Sequence, residues 1–350
     1  MRELIFHIGV PKTGSSALQV FFARNHQVLL ARGVDYFRIG DFALGTAGNI
    51  SSGNGSLVSR SLLPAGSPIG IGDPEPHVKA LFAAIEASTS ERGLVSSEIF
   101  ADADLPALTR LVDRVRQIGI TPRAFCFVRR QDQFLSSAYM QQVKRHQCTD
   151  YPEVHVRRLY RQVKYLRYGS FFRDMTAVFG AGQVAVRVYE EAVAAKAGLF
   201  LTFLRACGLD QGGFDTDVKD INTSLTTRNL LMMLLLNKYK PRMNFSDLVV
   251  ENEITSGAMQ SGAQHHLFSD TLAAEIEAFF RDENAALAME YFARPMLFET
   301  AERTGNMQSI SRLSLSVEDA VGFLGGVMVR LDARLAAVEQ QLHSLKARPQ

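Results

Sequence analysis

The residues best suited to chemistry lie near the start of the chain, in the stretch GVPKTGSS, residues 9–16. An apolar run precedes this stretch and a segment with helical periodicity follows it, so we predict a loop between a strand and a helix. In such a loop the backbone N–H groups and the positive end of the helix point toward one spot and attract anions. Gly9 and Gly14 permit close backbone approach, Lys12 adds a charge, and Ser15 and Ser16 add hydroxyl donors. The loop therefore predicts a phosphate site.

The position of the lysine separates this loop from the G-x-x-x-x-G-K-[ST] pattern of nucleoside triphosphate sites. In that pattern the lysine follows the second glycine, whereas Lys12 precedes Gly14 by two positions and Ser15 stands where the lysine would be. In addition, no strong candidate for a magnesium-binding acid follows a later predicted strand. We therefore expect a different phosphorylated ligand, and a nucleotide-dependent kinase is the second enzymatic interpretation.

A second candidate anion site lies in FCFVRRQDQFLSSAY, residues 125–139. Arg129 follows a predicted strand, and Ser137 stands eight positions later in a predicted helix. A guanidinium in the turn and a hydroxyl two helical turns later can converge on one phosphate. A further strand, in VAVRVYEE, residues 184–191, leads to Tyr189 and Glu190, and the glutamate suits the start of a helix.

Glu98 is the first candidate for a general base. It follows a predicted strand in GLVSSEIF, residues 93–100, and open parallel sheets bind their ligands beyond the carboxyl ends of the strands. Burial would raise its pKa and make it a better proton acceptor, but a structural pairing with an arginine explains the residue equally well. His7 and His146 are alternative bases, although a histidine inside the first strand is more often a core residue.

The elements that must position these residues alternate between short apolar runs and helical-period segments. This pattern predicts an α/β fold of three layers, with a central parallel sheet flanked by helices. The predicted strands are residues 4–8, 34–37, 94–97, 123–128 and 184–188. Residues 40–76 are rich in Gly, Ser and Pro and too long for an ordinary connection, so we interpret them as a mobile lid or a substrate-binding excursion.

We expect three regions along the chain: an α/β core over residues 1–222, a helical region over 223–310 that completes the same domain, and a C-terminal amphipathic helix within 311–350. In that last helix apolar residues step alternately by three and four, as in a coiled coil; they are Met328, Leu331, Leu335, Val338, Leu342 and Leu345. Two interpretations stay open: a coiled coil that forms a homodimer, or docking of the helix on its own domain.

Composition limits the classes of function. The chain has 350 residues, 47% of them hydrophobic, and its net charge of +2 gives no general reason to expect nucleic acid or a membrane surface as a partner. Basic residues are nevertheless concentrated between positions 123 and 173, which suits a local anionic ligand. The three cysteines lack the spacing of a disulfide framework or a zinc site, and no apolar run has the length of a membrane span. We expect a cytoplasmic protein.

The loop PKTGSS, residues 11–16, resembles the P-K-[ST]-G-[ST]-[ST] loop of sulfotransferases that use 3′-phosphoadenosine-5′-phosphosulfate (PAPS), and the flanking residues resemble a bacterial branch of that family. The resemblance implies a P-loop-like fold in which six residues wrap the 5′-phosphosulfate: Pro11, Lys12, Thr13, Gly14, Ser15 and Ser16. It also implies that Lys12 faces the bridging oxygen between sulfate and phosphate. The position of Lys12 before Gly14 would then be the position that this ligand requires.

The later segments resemble the same family. Arg129 and Ser137, with a tyrosine close behind, match the residues that bind the 3′-phosphate, and the resemblance gives Ser137 a further contact with Lys12. Tyr189 matches a tyrosine that reaches the adenine, and Glu98 stands where bacterial members have a similar strand end. One departure lies in the turn after Arg129, where family members often have Asp-Pro and this chain has Arg-Gln. The sequence NTS at positions 222–224 also resembles a family loop near the cofactor.

Taken together, these features predict a PAPS-dependent sulfotransferase with Lys12, Glu98 and Ser137 as catalytic residues and no metal. The expected acceptor is a hydroxyl of a carbohydrate or glycolipid, and the expected product of the donor is adenosine 3′,5′-bisphosphate (PAP). A third possibility is a non-catalytic nucleotide-sensing or scaffold protein with the same fold.

Overall fold

The structure is a computed structural model, in which the described residues are 1–49, 51–195, 198–209, 212–217, 225–241, 245–256, 267–299 and 315–346. Its five-stranded sheet is parallel throughout, with the strand order β2-β3-β1-β4-β5. The strands are β1 (Glu3–Ile8), β2 (Val34–Tyr36), β3 (Arg92–Ser97), β4 (Thr121–Val128) and β5 (Val184–Val188). The predicted fold class is confirmed, and the predicted strands agree with these bounds to within two residues.

Helices flank the sheet and account for most of the other described elements. In chain order they are α1 (Ser15–Arg24), α2 (His26–Ala31), α3 (Phe42–Thr46), α4 (Ser56–Ser61), α5 (Glu75–Ala87), α6 (Leu105–Gln117), α7 (Gln131–Arg145), α8 (Pro152–Leu159), α9 (Tyr168–Phe179), α10 (Tyr189–Ala194), α11 (Gly198–Ala206), α12 (Thr227–Leu236), α13 (Phe245–Ser256), α14 (Asp270–Phe292) and α15 (Val317–Lys346). Short 3₁₀ helices cover Glu98–Asp102, Lys164–Leu166 and Asn237–Tyr239.

The helices form where apolar residues recur at helical spacing. In α6 the buried residues are Leu108, Leu111, Val112 and Val115, which lie on one face. The helix predicted to follow the Lys12 loop is divided in two at Asn25, whose side-chain amide donates to the backbone oxygen of Phe21 at 2.9 Å. The backbone N–H of Asn25 still donates to the Phe21 oxygen at 3.0 Å, its backbone oxygen accepts from the Leu29 N–H at 2.9 Å, and α2 starts on the next residue.

The strand order brings the candidate residues to one edge of the sheet. β1 pairs with β3 on one side, with Ile8 opposite Ser97, and with β4 on the other. β4 in turn pairs with β5, with Val128 opposite Val188. Because all these strands run in the same direction, their carboxyl ends lie at the same edge. The segments that follow the four strands are therefore neighbours.

His7 lies in the aromatic layer beneath this edge. It is fully buried, its Nδ1 is 2.8 Å from the Ser96 hydroxyl, and its ring contacts the rings of Phe22 and Phe203. Burial lowers its pKa to about 3, since the apolar surroundings disfavour the charged imidazolium. His7 is thus a neutral core histidine, which leaves it poorly suited to exchange protons with a substrate.

The segment 40–76 folds partly onto the open edge of β3, beyond the end of β2. Asn54 is buried, and its amide group donates to the backbone oxygens of Phe37 and Leu94 at 3.1 and 3.0 Å. Its side-chain oxygen accepts from the Ser96 N–H at 2.7 Å. A buried amide with three such bonds extends the sheet's hydrogen bonding where no strand continues. This part of the segment is anchored, which favours a fixed excursion over a mobile lid.

The chain divides into two compact units, and the sheet belongs to the first, which comprises residues 1–134, 163–221 and 277–300. The second unit comprises residues 135–162, 222–276 and 301–350. In its described part, Asn237 donates to the backbone oxygens of Val143 and Cys148, both at 2.8 Å, and Arg145 pairs with Asp247 at 2.7 Å. The region boundaries expected from the sequence stay a prediction. None of the described helices has the length and apolar character needed to cross a membrane.

Candidate functional site

The first unit brings four of the sequence-predicted segments together at the carboxyl edge of the sheet. The loop with Lys12 follows β1, Glu98 follows β3, Arg129 follows β4, and Tyr189 follows β5. The order of these strands places the Lys12 loop between Glu98 on one side and Arg129 on the other. The juxtaposition of an ammonium corner and a guanidinium corner, expected from the sequence, is present in the structure.

The loop after β1 is shaped by two positions with positive φ. Gly14, at φ 78°, starts α1 without a side-chain cap, and Lys12 has a φ of 67°. The first N–H groups of α1 have no acceptors within the helix, so they are available to an anion. A positive φ at a residue with a side chain costs about 1 kcal/mol, and such strain is common at binding loops.

The remaining predicted loop residues divide into two kinds. Thr13 is buried, and its hydroxyl donates to the backbone oxygen of Val10 at 2.7 Å, so its side chain serves the loop itself. Ser15 is also buried and lies close to Gly9 and Glu98: a methyl group on Gly9 would come within 2.8 Å of its hydroxyl and 3.1 Å of the Glu98 Cβ. Pro11 and Ser16 are partly exposed. Gly9 is therefore required for the close packing of the Ser15 hydroxyl against Glu98.

Arg129 joins the corner after β4 to the Lys12 loop. Its Nη1 donates to the backbone oxygen of Lys12 at 2.6 Å. Its guanidinium carbon lies 5.0 Å from the centre of the Tyr189 ring, and the edge of that ring would be 3.4 Å from a methyl group on Gly14. Tyr189 thus contacts both corners through a cation–π interaction and van der Waals packing. The Nε atom of Arg129 is buried and has no hydrogen-bond acceptor among the described residues.

Two residues that the sequence did not identify as important for this corner support Arg129. The buried Tyr168 hydroxyl donates to the Arg129 backbone oxygen at 2.6 Å and accepts from the Arg129 N–H at 3.1 Å. Glu190 accepts from the Arg130 N–H at 3.0 Å, and its carboxylate lies 3.9 Å from Arg129 Nε. Glu190 was expected only as a helix-start residue, and no local pattern marks Tyr168 as a partner of Arg129.

Lys12 and Glu98 form the electrostatic centre of the site. Burial lowers the pKa of Lys12, and so does the Arg129 charge, while the Glu98 charge raises it. Burial raises the pKa of Glu98, while the Lys12 charge and the Ser15 hydroxyl lower it. Among the described residues, the Ser15 hydroxyl oxygen nevertheless has no partner at hydrogen-bond distance and angle. The result is a lysine that gives up its proton more readily and a glutamate that takes one more readily.

Two further titratable groups adjoin Glu98. The pKa of Asp102 is raised to about 6 by burial and by the Glu98 charge, although more than a third of the residue is exposed. The partly buried Tyr165 has its pKa raised by burial and by the charges of Asp102 and Glu98. Asp102 is close to Glu98 in the chain, since both belong to the 3₁₀ helix that follows β3. Tyr165 comes from a distant part of the chain.

The other predicted candidates are placed as follows. Ser137 lies partly buried in the second turn of α7, and the chain division assigns it to the second unit; its catalytic role stays a prediction. His146 is exposed just after α7. The NTS sequence lies outside the described residues. In the ranges described, His, Cys, Asp and Glu side chains do not assemble in threes as metal ligands.

Comparisons with known proteins give few matches. No model of a known protein family matches the chain. An uncharacterized protein of Archaeoglobus fulgidus is similar, with 26% identity over 211 residues, which is 60% of this chain and 56% of the relative's length. The crystal structure of a sulfotransferase from Alicyclobacillus acidocaldarius is similar with a TM-score of 0.44 and 15% identity, over 68% of this chain and 93% of that one.

Proposed function

We propose that this protein is a sulfotransferase that moves the sulfuryl group of PAPS to a hydroxyl of an acceptor, a carbohydrate or a glycolipid. The observation that carries the proposal is the contact between the two corners. Arg129 donates to the Lys12 backbone at 2.6 Å, and Tyr189 packs against both segments. A ligand with phosphate groups at two positions of one adenosine would have a cationic group at each end and an aromatic ring between them.

The unsatisfied polar groups of the site fit such a ligand. The uncapped N–H groups of α1, with the Ser15 and Ser16 hydroxyls, would hold the 5′-phosphosulfate. The Arg129 Nε, buried and without an acceptor in the described residues, would hold the 3′-phosphate. Tyr189 would stack on the adenine, and its position beside Gly14 keeps it close to the phosphate loop.

The chemistry then follows from the pair of shifted groups. The donor supplies the sulfuryl group, whose bond to the bridging oxygen breaks with its electron pair passing to the phosphate. Lys12 donates a hydrogen bond to that oxygen as its charge develops, and a lowered pKa makes the ammonium a stronger donor. Glu98 accepts the proton of the acceptor hydroxyl while the new sulfur–oxygen bond forms, and its raised pKa suits that role.

The decisive experiment separates binding from transfer. Calorimetry with PAP should show binding to the purified full chain, and labelled sulfate from PAPS should pass to pooled glycans. Lys12→Ala should keep PAP affinity within about tenfold while transfer falls by at least about 100-fold, comparable to the loss of one preorganised donor. Lys79→Ala, on an exposed lysine of α5, is the matched control and should change neither quantity.

The alternatives give different results. Turnover of ATP with magnesium and no response to PAPS would replace the proposal with the kinase. PAP binding without transfer to any pooled acceptor would favour the sensing or scaffold protein. Transfer by Lys12→Ala within a few-fold of the unchanged chain would remove Lys12 from the role at the bridging oxygen.

A further inference from the structure

Two carboxyl groups lie beside the Lys12 loop, and only one of them is balanced by a positive charge. Glu98 and Asp102 are the first and last residues of the 3₁₀ helix that follows β3. The charge of Lys12 acts on Glu98, whereas the charge that acts on Asp102 is that of Glu98, another acid. Within the described ranges, the Asp102 carboxylate has no ion pair and no hydrogen bond. More than a third of Asp102 is exposed, so a solute can reach it.

An aromatic ring lies near the two acids. Tyr165 is close enough to Glu98 and Asp102 for their charges to raise its pKa. Its ring packs edge-on against the buried Phe134 of α7, with 5.9 Å between the ring centres. The Gln131 side chain also donates to the backbone oxygen of the residue after Tyr165, at 3.2 Å. Tyr165 is thus held in position while its side chain stays partly exposed.

A buried polar group lies between the acids and the Lys12 loop. The Ser15 hydroxyl is close to Glu98, since a methyl group on Gly9 would come within 2.8 Å of the hydroxyl and 3.1 Å of the Glu98 Cβ. Ser15 is only 2% exposed, and its hydroxyl has no hydrogen-bond partner among the described residues. Buried hydroxyls are normally hydrogen-bonded, so a bound molecule is expected to supply the missing partner. This points to a ligand beside Glu98.

A positively charged group is the ligand that best suits the two acids and the ring. The carboxylates repel each other, and a cation bound beside them relieves that repulsion. A protonated amine donates charge-assisted hydrogen bonds to a carboxylate and is also attracted to the face of an aromatic ring. A hydroxyl brings no charge of its own, and an anionic group would be repelled by both acids.

We propose that Asp102 and Tyr165 form a subsite for a protonated amino group, so that the acceptor is a carbohydrate with free amines near the hydroxyl that receives the sulfuryl group. The place of this subsite in the reaction rests on the proposed function, in which Glu98 accepts the proton of that hydroxyl. Asp102 and Tyr165 act in binding and selecting the acceptor. The binding of the amine itself depends only on the charges and the ring.

Calorimetry on the full chain with three matched sugars tests the subsite. A glucosamine tetramer, an N-acetylglucosamine tetramer and a glucose tetramer of the same linkage differ in one substituent per ring. With its amines protonated, the glucosamine tetramer should bind at least about tenfold more tightly than the other two, which is the effect of one hydrogen bond to a charged group. Asp102→Asn should abolish this preference. Asp174→Asn, which removes an exposed acid of α9, is the matched control and should keep it.

Two variants of Tyr165 test the ring. Tyr165→Leu should lower the preference for the glucosamine tetramer several-fold, and Tyr165→Phe, which keeps the ring, should retain it. No preference for the glucosamine tetramer in the unchanged chain, or a preference that survives Asp102→Asn, would overturn the subsite. If the preference is present but labelled sulfate from PAPS does not pass to the glucosamine tetramer, the amine subsite is supported and the sulfotransferase assignment is contradicted.

Discussion

At the scale of residues, the charges of Lys12 and Glu98 depend on each other. Burial alone would drive both groups toward their neutral forms, and each offsets part of that effect in the other. Because of this coupling, removing the charge of one residue also changes the pKa of the other. Lys12 additionally holds a positive φ, so its side chain leaves the loop from a backbone position that few residues adopt.

Glu98→Gln tests whether this carboxylate is the base. A base must be deprotonated, so kcat/KM should rise with pH through the raised pKa of Glu98 and level off above it. The glutamine variant should lose this acidic limb and fall in kcat/KM by at least about 100-fold. His146→Ala, which removes the exposed histidine, should keep the limb. An acidic limb that persists in Glu98→Gln would assign the base to another group.

The same substitution has a predictable effect on stability. Because the pKa of Glu98 in the folded chain lies above its ordinary value, the folded state binds the proton more tightly than the unfolded state. That contribution to stability is complete below the ordinary pKa and is lost as the pH rises through the raised one. At neutral pH the unfolding free energy of Glu98→Gln in urea should therefore equal or exceed that of the unchanged chain. A lower value would mean that the charge of Glu98 stabilises the fold.

At the scale of elements, the corner between β4 and α7 depends on Tyr168 at the start of α9. Tyr168→Phe removes a hydroxyl that both donates to and accepts from the Arg129 backbone, so the corner should loosen. We expect a loss of about 1 to 2 kcal/mol in unfolding free energy. If Arg129 holds the 3′-phosphate as proposed, we also expect a several-fold rise in the KM for PAPS with a smaller change in kcat.

Tyr291→Phe is the matched control for this corner. The Tyr291 hydroxyl lies 2.7 Å from that of Thr176 and is not bonded to Arg129. It should lower stability by a similar amount and leave the PAPS KM unchanged. An equal rise in KM in both variants would make the Tyr168 effect a general loss of stability and not a positioning effect.

The segment after β2 offers a second test at this scale. Asn54→Ala removes three buried side-chain hydrogen bonds and leaves backbone groups of β3 and its neighbours unsatisfied, so the unfolding free energy should fall by about 2 to 4 kcal/mol. Asn49→Ala, on an exposed residue of the same segment, should change it by less than about 0.5 kcal/mol. Equal, small effects in urea denaturation would show that the segment is not anchored.

At the scale of the whole molecule, the basic region between positions 123 and 173 is largely neutralised by acids. Within the first unit Arg123 pairs with Glu3 and Arg130 with Asp132. Within the second, Arg158 pairs with Asp150, and Arg157 and Arg161 share Glu275. Most of these pairs are exposed and contribute little to stability. The expectation that nucleic acid is not a partner stays a prediction.

Whether a site residue could be predicted from the sequence depends on how far it lies along the chain from the end of a strand. Lys12, Glu98, Arg129 and Tyr189 could be proposed from the sequence because each lies within four residues of the end of a recognisable strand. Tyr168 and Tyr165 could not, because each comes near its site residue from a position about forty to seventy residues away in the chain. The division of the helix after the Lys12 loop at Asn25 was not predicted; the Asn25 side chain bonds the backbone of Asp215, far along the chain, with its amide donating at 2.8 Å and its oxygen accepting at 2.8 Å.

The sequence by itself determined the α/β class, the five strands and the phosphate-type loop. These depend on the spacing of apolar residues and on the positions of glycine, lysine and hydroxyl residues, which are local properties of the chain. Only the tertiary structure decided the strand order, which places β1 between β3 and β4 and so sets Lys12 between Glu98 and Arg129. It also decided that α15 docks through Phe323 and Val327 and leaves its heptad stripe exposed. Both depend on which apolar faces pack together over long sequence separations, and no local pattern specifies that choice.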